Sequence, residues 1–256
     1  MTRVAIVSGV GPGLGRAIAL ALAETGTNVV LVARDAARLE AVAAEVRAQA
    51  AEAITVTGDI TVAADRTRIV EHAVAEWGRL DVLVNNAFAL GPMATALDIT
   101  DDDWRAVLEV NLIGTVAMSV EAARWMAEHG GGSIVMVNSQ AARRGAARRG
   151  PYAASKAGLL AAAQVLASEL GPSGIRVNSV VPGQIWGDAL EGHYEGIAAR
   201  RGSTLDDVVS GVVRDIPLRR IPHAEEIAAA VVFLASDAAS AITGQALDVN
   251  AGNWFH

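Results

Sequence analysis

Residues 3–26 read RVAIVSGVGPGLGRAIALALAETG. The first six form a short β-branched run, and from Leu14 onward the apolar positions recur at helical spacing, so a buried strand passes into a helix through a glycine-rich turn. Gly9, Gly13 and Gly15, with Gly11 between them, follow a Gly-x-x-x-Gly-x-Gly spacing, not the commoner Gly-x-Gly-x-x-Gly. Glycines let the backbone turn tightly and approach a pyrophosphate, and the N-terminus of the helix offers free N–H groups and the positive end of its dipole. Glycine also marks ordinary turns. Directly after a first strand and before a helix, however, the pattern points to dinucleotide binding.

The same alternation runs on along the chain. Strand-like runs lie at 3–8, 28–33, 53–57, 81–85, 133–138, 175–181 and 246–250, and helical segments at 14–25, 36–50, 62–77, 102–129, 153–170 and 224–236. Near-continuous apolar strands separated by helices are the pattern of a parallel sheet covered on both faces. The expectation is a doubly wound, Rossmann-type α/β fold: a seven-stranded parallel sheet in a three-layer α/β/α sandwich. Such sheets bind ligands at the carboxyl ends of their strands. The segment 186–223 breaks the alternation and reads as an excursion covering the site within a single domain, 1–256.

Bulk properties narrow the function. The 256 residues are 52 % hydrophobic but only 4 % aromatic, with a net charge of -7. No uninterrupted apolar run approaches the roughly 18 residues that span a bilayer, and MTRVAIVSG enters a strand too early for a signal peptide. A cytoplasmic protein without a membrane partner is expected. The absence of cysteine removes disulfide and thiolate chemistry. An acidic chain also lacks the basic footprint of a nucleic-acid binder. The five histidines, His72, His129, His193, His223 and His256, show no metal-ligand spacing and read as surface or packing residues; no metal is expected.

Of the 21 basic residues, 20 are arginine and one, Lys156, is lysine. Lys156 follows Tyr152 by four positions at the start of a helix, so the two side chains share a face. Tyrosine is a poor acid–base catalyst near pH 7, and an adjacent ammonium together with a helix N-terminus should lower its pKa. A bulkier guanidinium does not replace a compact ammonium, which gives the one retained lysine its meaning. Ser139, at the end of a strand, stands thirteen residues before Tyr152 and could hydrogen-bond a reacting oxygen. It lacks the Gly-x-Ser-x-Gly setting of a hydrolase nucleophile.

SGVGPGLG, GDI at 58–60, NNAF at 85–88, NLIG at 111–114, Ser139, YAASK and VNSVVPG at 177–183 occur in an order that resembles the short-chain dehydrogenase/reductase family over essentially the whole chain. The resemblance implies interconversion of a ketone and a secondary alcohol by hydride transfer with a nicotinamide cofactor. It implies a catalytic set of Asn111, Ser139, Tyr152 and Lys156, with Tyr152 as general acid/base. Asn111 would hold a water in a proton path, and Lys156 would bind the nicotinamide ribose. For the cofactor it implies Gly9, Gly11, Gly13, Leu14, Gly15, Asp59, Ile60, Asn86, Ala87, Tyr152, Lys156, Pro182, Gly183 and Ile185.

Ala33 stands where a member preferring NAD(H) has its carboxylate, and Arg34 follows, so NADP(H) is the preferred cofactor and NAD(H) the alternative. The family's Asn-Asn-Ala-Gly reads Asn85-Asn86-Ala87-Phe88 here, and Gly187 replaces a threonine. Phe88, Gln140, Trp186 and Tyr194 are the candidate substrate pocket, suited to a hydrophobic small molecule. Between Ser139 and Tyr152 the pentapeptide AARRG occurs twice, placing Arg143, Arg144, Arg148 and Arg149 beside the site. These arginines suggest a second reading, a reductase of 3-oxoacyl groups on an acidic carrier protein. A reading of another class is an NADP(H)-sensing protein without turnover. The resemblance also implies a homotetramer, for which helix 153–170 and Asn253-Trp254-Phe255-His256 are candidate contacts.

Overall fold

A computed structural model describes residues 2–49 and 51–255, so Met1, Ala50 and His256 lie outside the described residues. Seven strands, β1 (Val4–Ser8), β2 (Asn28–Ala33), β3 (Ala53–Thr57), β4 (Val82–Asn85), β5 (Gly132–Val137), β6 (Ile175–Pro182) and β7 (Ala246–Val249), form one sheet in the order β3-β2-β1-β4-β5-β6-β7. All pairings are parallel; β1 aligns Val4 with Asn28 on one side and Ala5 with Val82 on the other. The order reverses between β1 and β4, which opens a crevice at their carboxyl ends.

The helices are α1 (Leu14–Glu24), α2 (Ala36–Arg47), α3 (Ala63–Trp77), α4 (Asp101–Leu108), α5 (Thr115–Glu128), α6 (Gly150–Leu170), α7 (Asp188–Arg201), α8 (Leu205–Val213) and α9 (Ala224–Ala235). Successive residues of a strand face opposite ways, and the buried β1 shows the result. Ala5 and Val7 enter a core with α1, α2 and α9, while Val4 and Ile6 enter a second core with α3, α5 and α6. The sheet is thus fully sandwiched, the seven-stranded three-layer fold expected from the alternation.

Two departures bear on the site. The run expected as one helix at 102–129 is interrupted by a π-helical segment, Glu109–Gly114, carrying Asn111. Thr115 Oγ1 donates to the Val110 carbonyl at 3.1 Å, and Gly114 lies so close to the Ile60 carbonyl that a Cβ would be 3.1 Å from it. Asp101–Glu128 is long and apolar enough by length and composition to cross a membrane, although in this fold Met118, Ala122, Ala123 and Met126 fill the second core. The irregular stretch at 186–223 contains α7 and α8, packed around a small core of Tyr194, Ala198, Val208, Ile216 and Ile221.

Candidate active site

The glycine turn lies between β1 and α1. Gly9 has φ +82, and a Cβ there would sit 2.4 Å from the Cα and N of Ala87, so only glycine lets these two loops touch. Asn86 braces the contact by donating to the Gly9 carbonyl at 2.7 Å. Gly11 and Gly13 have open space where side chains would be, and Gly13 caps α1 with no side-chain hydrogen bond. A helix leaves its first N–H groups without intrahelical partners. The turn is therefore a bare cradle of backbone donors, which fits a dinucleotide phosphate.

Two cavities meet at this cradle. The first, about 410 Å³, is lined by Gly9, Gly11, Ala33, Arg34, Asp35, Arg38, Asp59, Ile60, Asn86, Ala87 and Phe88, among others. Asp35 turns away to cap α2, accepting from the Arg38 N–H at 3.1 Å. Arg34 is largely exposed and stands 3.9 Å from Asp59, whose other carboxylate oxygen accepts from Thr61. Arg38, a second guanidinium at this cavity, was not anticipated from the sequence; its signal was its position in the first turn of the helix that follows Arg34.

The second cavity, about 710 Å³, shares Gly9, Gly11, Asn86 and Phe88 with the first and continues along Gly13, Leu14 and Gly15 to Ser139, Tyr152, Lys156, Pro182, Gly183, Ile185 and Trp186. Gly187 also lines it, with no atom near its missing Cβ, so the absent threonine leaves open space. His223, Ala224 and Glu225, at the start of α9, line the same cavity and were not foreseen.

Tyr152 and Lys156 stand on the first turns of α6, which Pro151 helps to start. Lys156 is 3 % exposed, its Nζ donates to the Val137 carbonyl at 2.9 Å and lies 5.9 Å from the Tyr152 ring centroid, and burial lowers its pKa to about 8. The lowered phenol pKa expected at Tyr152 is not what this chain produces on its own. Burial pushes it up, against the opposing pull of the Ser139 hydroxyl and the Arg149 charge. The structure thus holds the phenol protonated, as a donor.

Three residues named from the sequence lie outside both cavities. Tyr194 is buried in the α7–α8 core, where its ring packs with Ala198, Val208, Ile216 and Ile221 and its hydroxyl donates to Gln184 Oε1 at 2.8 Å. Gln140 accepts from Asn253 Nδ2 at 3.1 Å and crowds Gly183. Asn111 is fully buried: its Oδ1 accepts from the Ala89 N–H at 2.6 Å, and its Nδ2 donates to the Ala89 carbonyl at 2.8 Å and to Ser155 Oγ at 3.0 Å.

The tandem arginines have four separate fates. Arg143 is mostly buried, 3.5 Å from Asp248, and donates to the Ala246 carbonyl at 3.1 Å. Arg144 lies over the Trp254 ring at 5.2 Å. Arg148 takes φ 67 in the turn, and Arg149 is the N-cap residue of α6. Together with Gln140, the first pair fastens the loop after Ser139 to the chain's last strand and the residues beyond it.

The family model that matches, over residues 9–253, is described as enoyl-(acyl carrier protein) reductase. A 3-oxoacyl-[acyl-carrier-protein] reductase from Synechocystis sp. is 34 % identical over 252 residues, covering 98 % of this chain and 96 % of that protein. The chain belongs to the short-chain dehydrogenase/reductase family. It is an oxidoreductase of ketone and alcohol groups, and members of this family bind a nicotinamide cofactor. Among solved structures, a single-site variant of actinorhodin polyketide ketoreductase with NADPH superposes with a TM-score of 0.90 at 31 % identity, covering 98 % of this chain and 97 % of that one. An NAD+-bound xylitol dehydrogenase also superposes at 0.90, with 32 % identity and 98 % coverage of both chains. Relatives of this fold therefore take either cofactor.

Proposed function

We propose that this chain is an NADP(H)-dependent reductase or dehydrogenase of a hydrophobic small ketone or secondary alcohol. The observation that carries the reading is the convergence of Ser139, Tyr152 and Lys156 on a cavity that runs into the bare backbone cradle at Gly11 to Gly15. When bound, the cofactor supplies a hydride to the carbonyl carbon, or takes one from the alcohol carbon. Tyr152 gives its phenolic proton to the carbonyl oxygen as that oxygen gains negative charge, and in the reverse direction it takes the proton back. The Ser139 hydroxyl donates to the same oxygen. Lys156, pinned by the Val137 carbonyl, places its ammonium beside the phenol, favours the phenolate as it forms and holds the ribose. Ile185, Trp186 and Phe88 give this end its apolar walls.

The cofactor preference follows from Ala33, Arg34 and Arg38. No carboxylate ends β2, and two guanidiniums border the first cavity where a 2′-phosphate would lie. A panel of carbonyl compounds followed by NADPH and NADH consumption tests both parts, with Tyr152→Phe as control. Equal turnover by the variant would overturn the mechanism, and faster turnover with NADH would overturn the preference.

Exposed Arg144 and Arg148, together with the acyl-carrier reductase relative, favour a second reading in which the substrate arrives on an acidic carrier protein. A carrier-linked 3-oxoacyl group reduced no faster than its small thioester analogue would eliminate it. A tetramer belongs to the proposal as well, with Val165 of α6 and Phe233 of α9 exposed as candidate contacts. A monomer at micromolar concentration in light scattering would contradict it.

A further inference from the structure

Among the described residues, four line both cavities: Gly9, Gly11, Asn86 and Phe88. Two are glycines, and Asn86 is buried with its amide turned back on the Gly9 carbonyl. Phe88 is thus the large side chain at the junction between the arginine-lined cavity and the Tyr152 cavity, and it is 59 % exposed. Its backbone is braced on both sides. Ala87 lies against Gly9, and Ala89 has both its N–H and its carbonyl tied to the buried Asn111 side chain at 2.6 and 2.8 Å.

A braced backbone that holds a half-exposed aromatic ring in water is a cost unless something covers the ring. A wall for the substrate alone would need Phe88 only at the Tyr152 end, yet it lines the other cavity as well. We infer that Phe88 is a clasp on the middle of the bound dinucleotide, an inference that rests on the dinucleotide reading above. A ligand that reaches from Arg34 to Tyr152 must cross the junction, where the ring would cover it.

Two physical effects follow from that cover. The ring loses apolar surface to water on binding, and it thins the water around the hydrogen bonds from the glycine turn to the phosphates, which strengthens them. Phe88 acts on the part common to NADPH and NADH, so its contribution is the same for both. In this it differs from Arg34 and Arg38, which act on the 2′-phosphate only.

The test is the dissociation constant of NADPH and of NADH, measured by calorimetry and by nucleotide fluorescence on the full-length protein without substrate. Phe88→Ala weakens both cofactors by about tenfold, the order expected from uncovering roughly half of a phenylalanine side chain. Phe88→Leu stays within about threefold of the wild type, since it keeps most of the cover. The side chain is exposed, so the variants should keep the wild-type melting temperature, which is checked in parallel. Unchanged binding in Phe88→Ala overturns the inference and leaves the dinucleotide reading standing. Weakened NADPH binding with unaltered NADH binding also overturns it. If the wild type binds neither nucleotide, the dinucleotide reading itself fails, and the clasp with it.

Discussion

Replacing Lys156 with methionine should make the protein more stable while stopping its chemistry. Burial moves the Lys156 pKa from 10.5 to about 8, and each pKa step corresponds to about 1.4 kcal/mol. Holding the ammonium inside the fold at pH 7 therefore costs about 3 kcal/mol. Methionine fills a similar volume without a charge, but leaves the Val137 carbonyl without its 2.9 Å donor, a loss of about 1–2 kcal/mol. The net gain is about 1–2 kcal/mol, or roughly 3–6 °C in melting temperature for a chain of this size.

The pH dependence has a definite sign. The folded-state pKa lies below the unfolded one, so between pH 8 and 10.5 the unfolded chain holds more protons and wild-type stability rises with pH. The advantage of Lys156→Met is full below pH 8, is used up about one pH step above it, and reverses toward pH 10, where only the lost hydrogen bond to the Val137 carbonyl remains. Urea unfolding of both proteins at pH 7 and pH 10, with turnover measured at pH 7, reads all of this. A variant less stable than the wild type at pH 7, or a stability difference that does not change between the two pH values, would refute the reasoning.

The phenol and the ammonium also predict a pH profile: kcat/KM for carbonyl reduction should hold below pH 8 and decline above it as Lys156 loses its proton, and a profile flat to pH 10 would count against the assigned role. Arg34→Ala and Arg38→Ala should each raise the KM for NADPH by about tenfold and leave that for NADH within twofold, in line with the loss of a charge-assisted hydrogen bond; equal effects on both cofactors would remove the 2′-phosphate assignment. Gly9→Ala places a Cβ 2.4 Å from the Ala87 backbone at φ +82, so its urea midpoint should fall by the equivalent of about 2 kcal/mol or more. A wild-type midpoint would mean the two loops are not in contact. Arg143→Leu removes the guanidinium beside Asp248 at a mostly buried position and should cost about 2 kcal/mol, while Arg148→Leu, in an exposed turn, should cost less than about 0.5. Similar losses in both would show that the ion pair contributes nothing.

The sheet was legible because its strands are buried on both faces, and near-continuous Val and Ile runs between glycine turns have few other readings. The cradle at Gly9–Gly15 and the Tyr152–Lys156 pair were legible because both are local in sequence. Tyr194 was not, since its partner Gln184 and its small core depend on how α7 folds back on α8. The rise in the Tyr152 pKa was also hidden, because spacing reports the neighbours in a helix and not the depth at which it lies. The tandem AARRG is the clearest case. Identical pentapeptides give one arginine an ion pair, one an aromatic ring, one a left-handed turn and one a helix cap. Position relative to β7 and α6 decides among these, and no local pattern carries it.

Arg143 on Asp248, Arg144 on Trp254 and Gln140 on Asn253 join the loop after Ser139 to β7 and the residues that follow it. The practical result concerns how the protein is handled in the laboratory. A label or surface linker attached at Asn253 or Trp254 would pull on the loop that carries Ser139. One attached at Arg3 sits on the opposite rim, where the strands begin and Arg3 holds the Ala235 carbonyl. Carrier beads and reporter labels belong on that rim, and two preparations that differ only in the labelled rim should not share one turnover number.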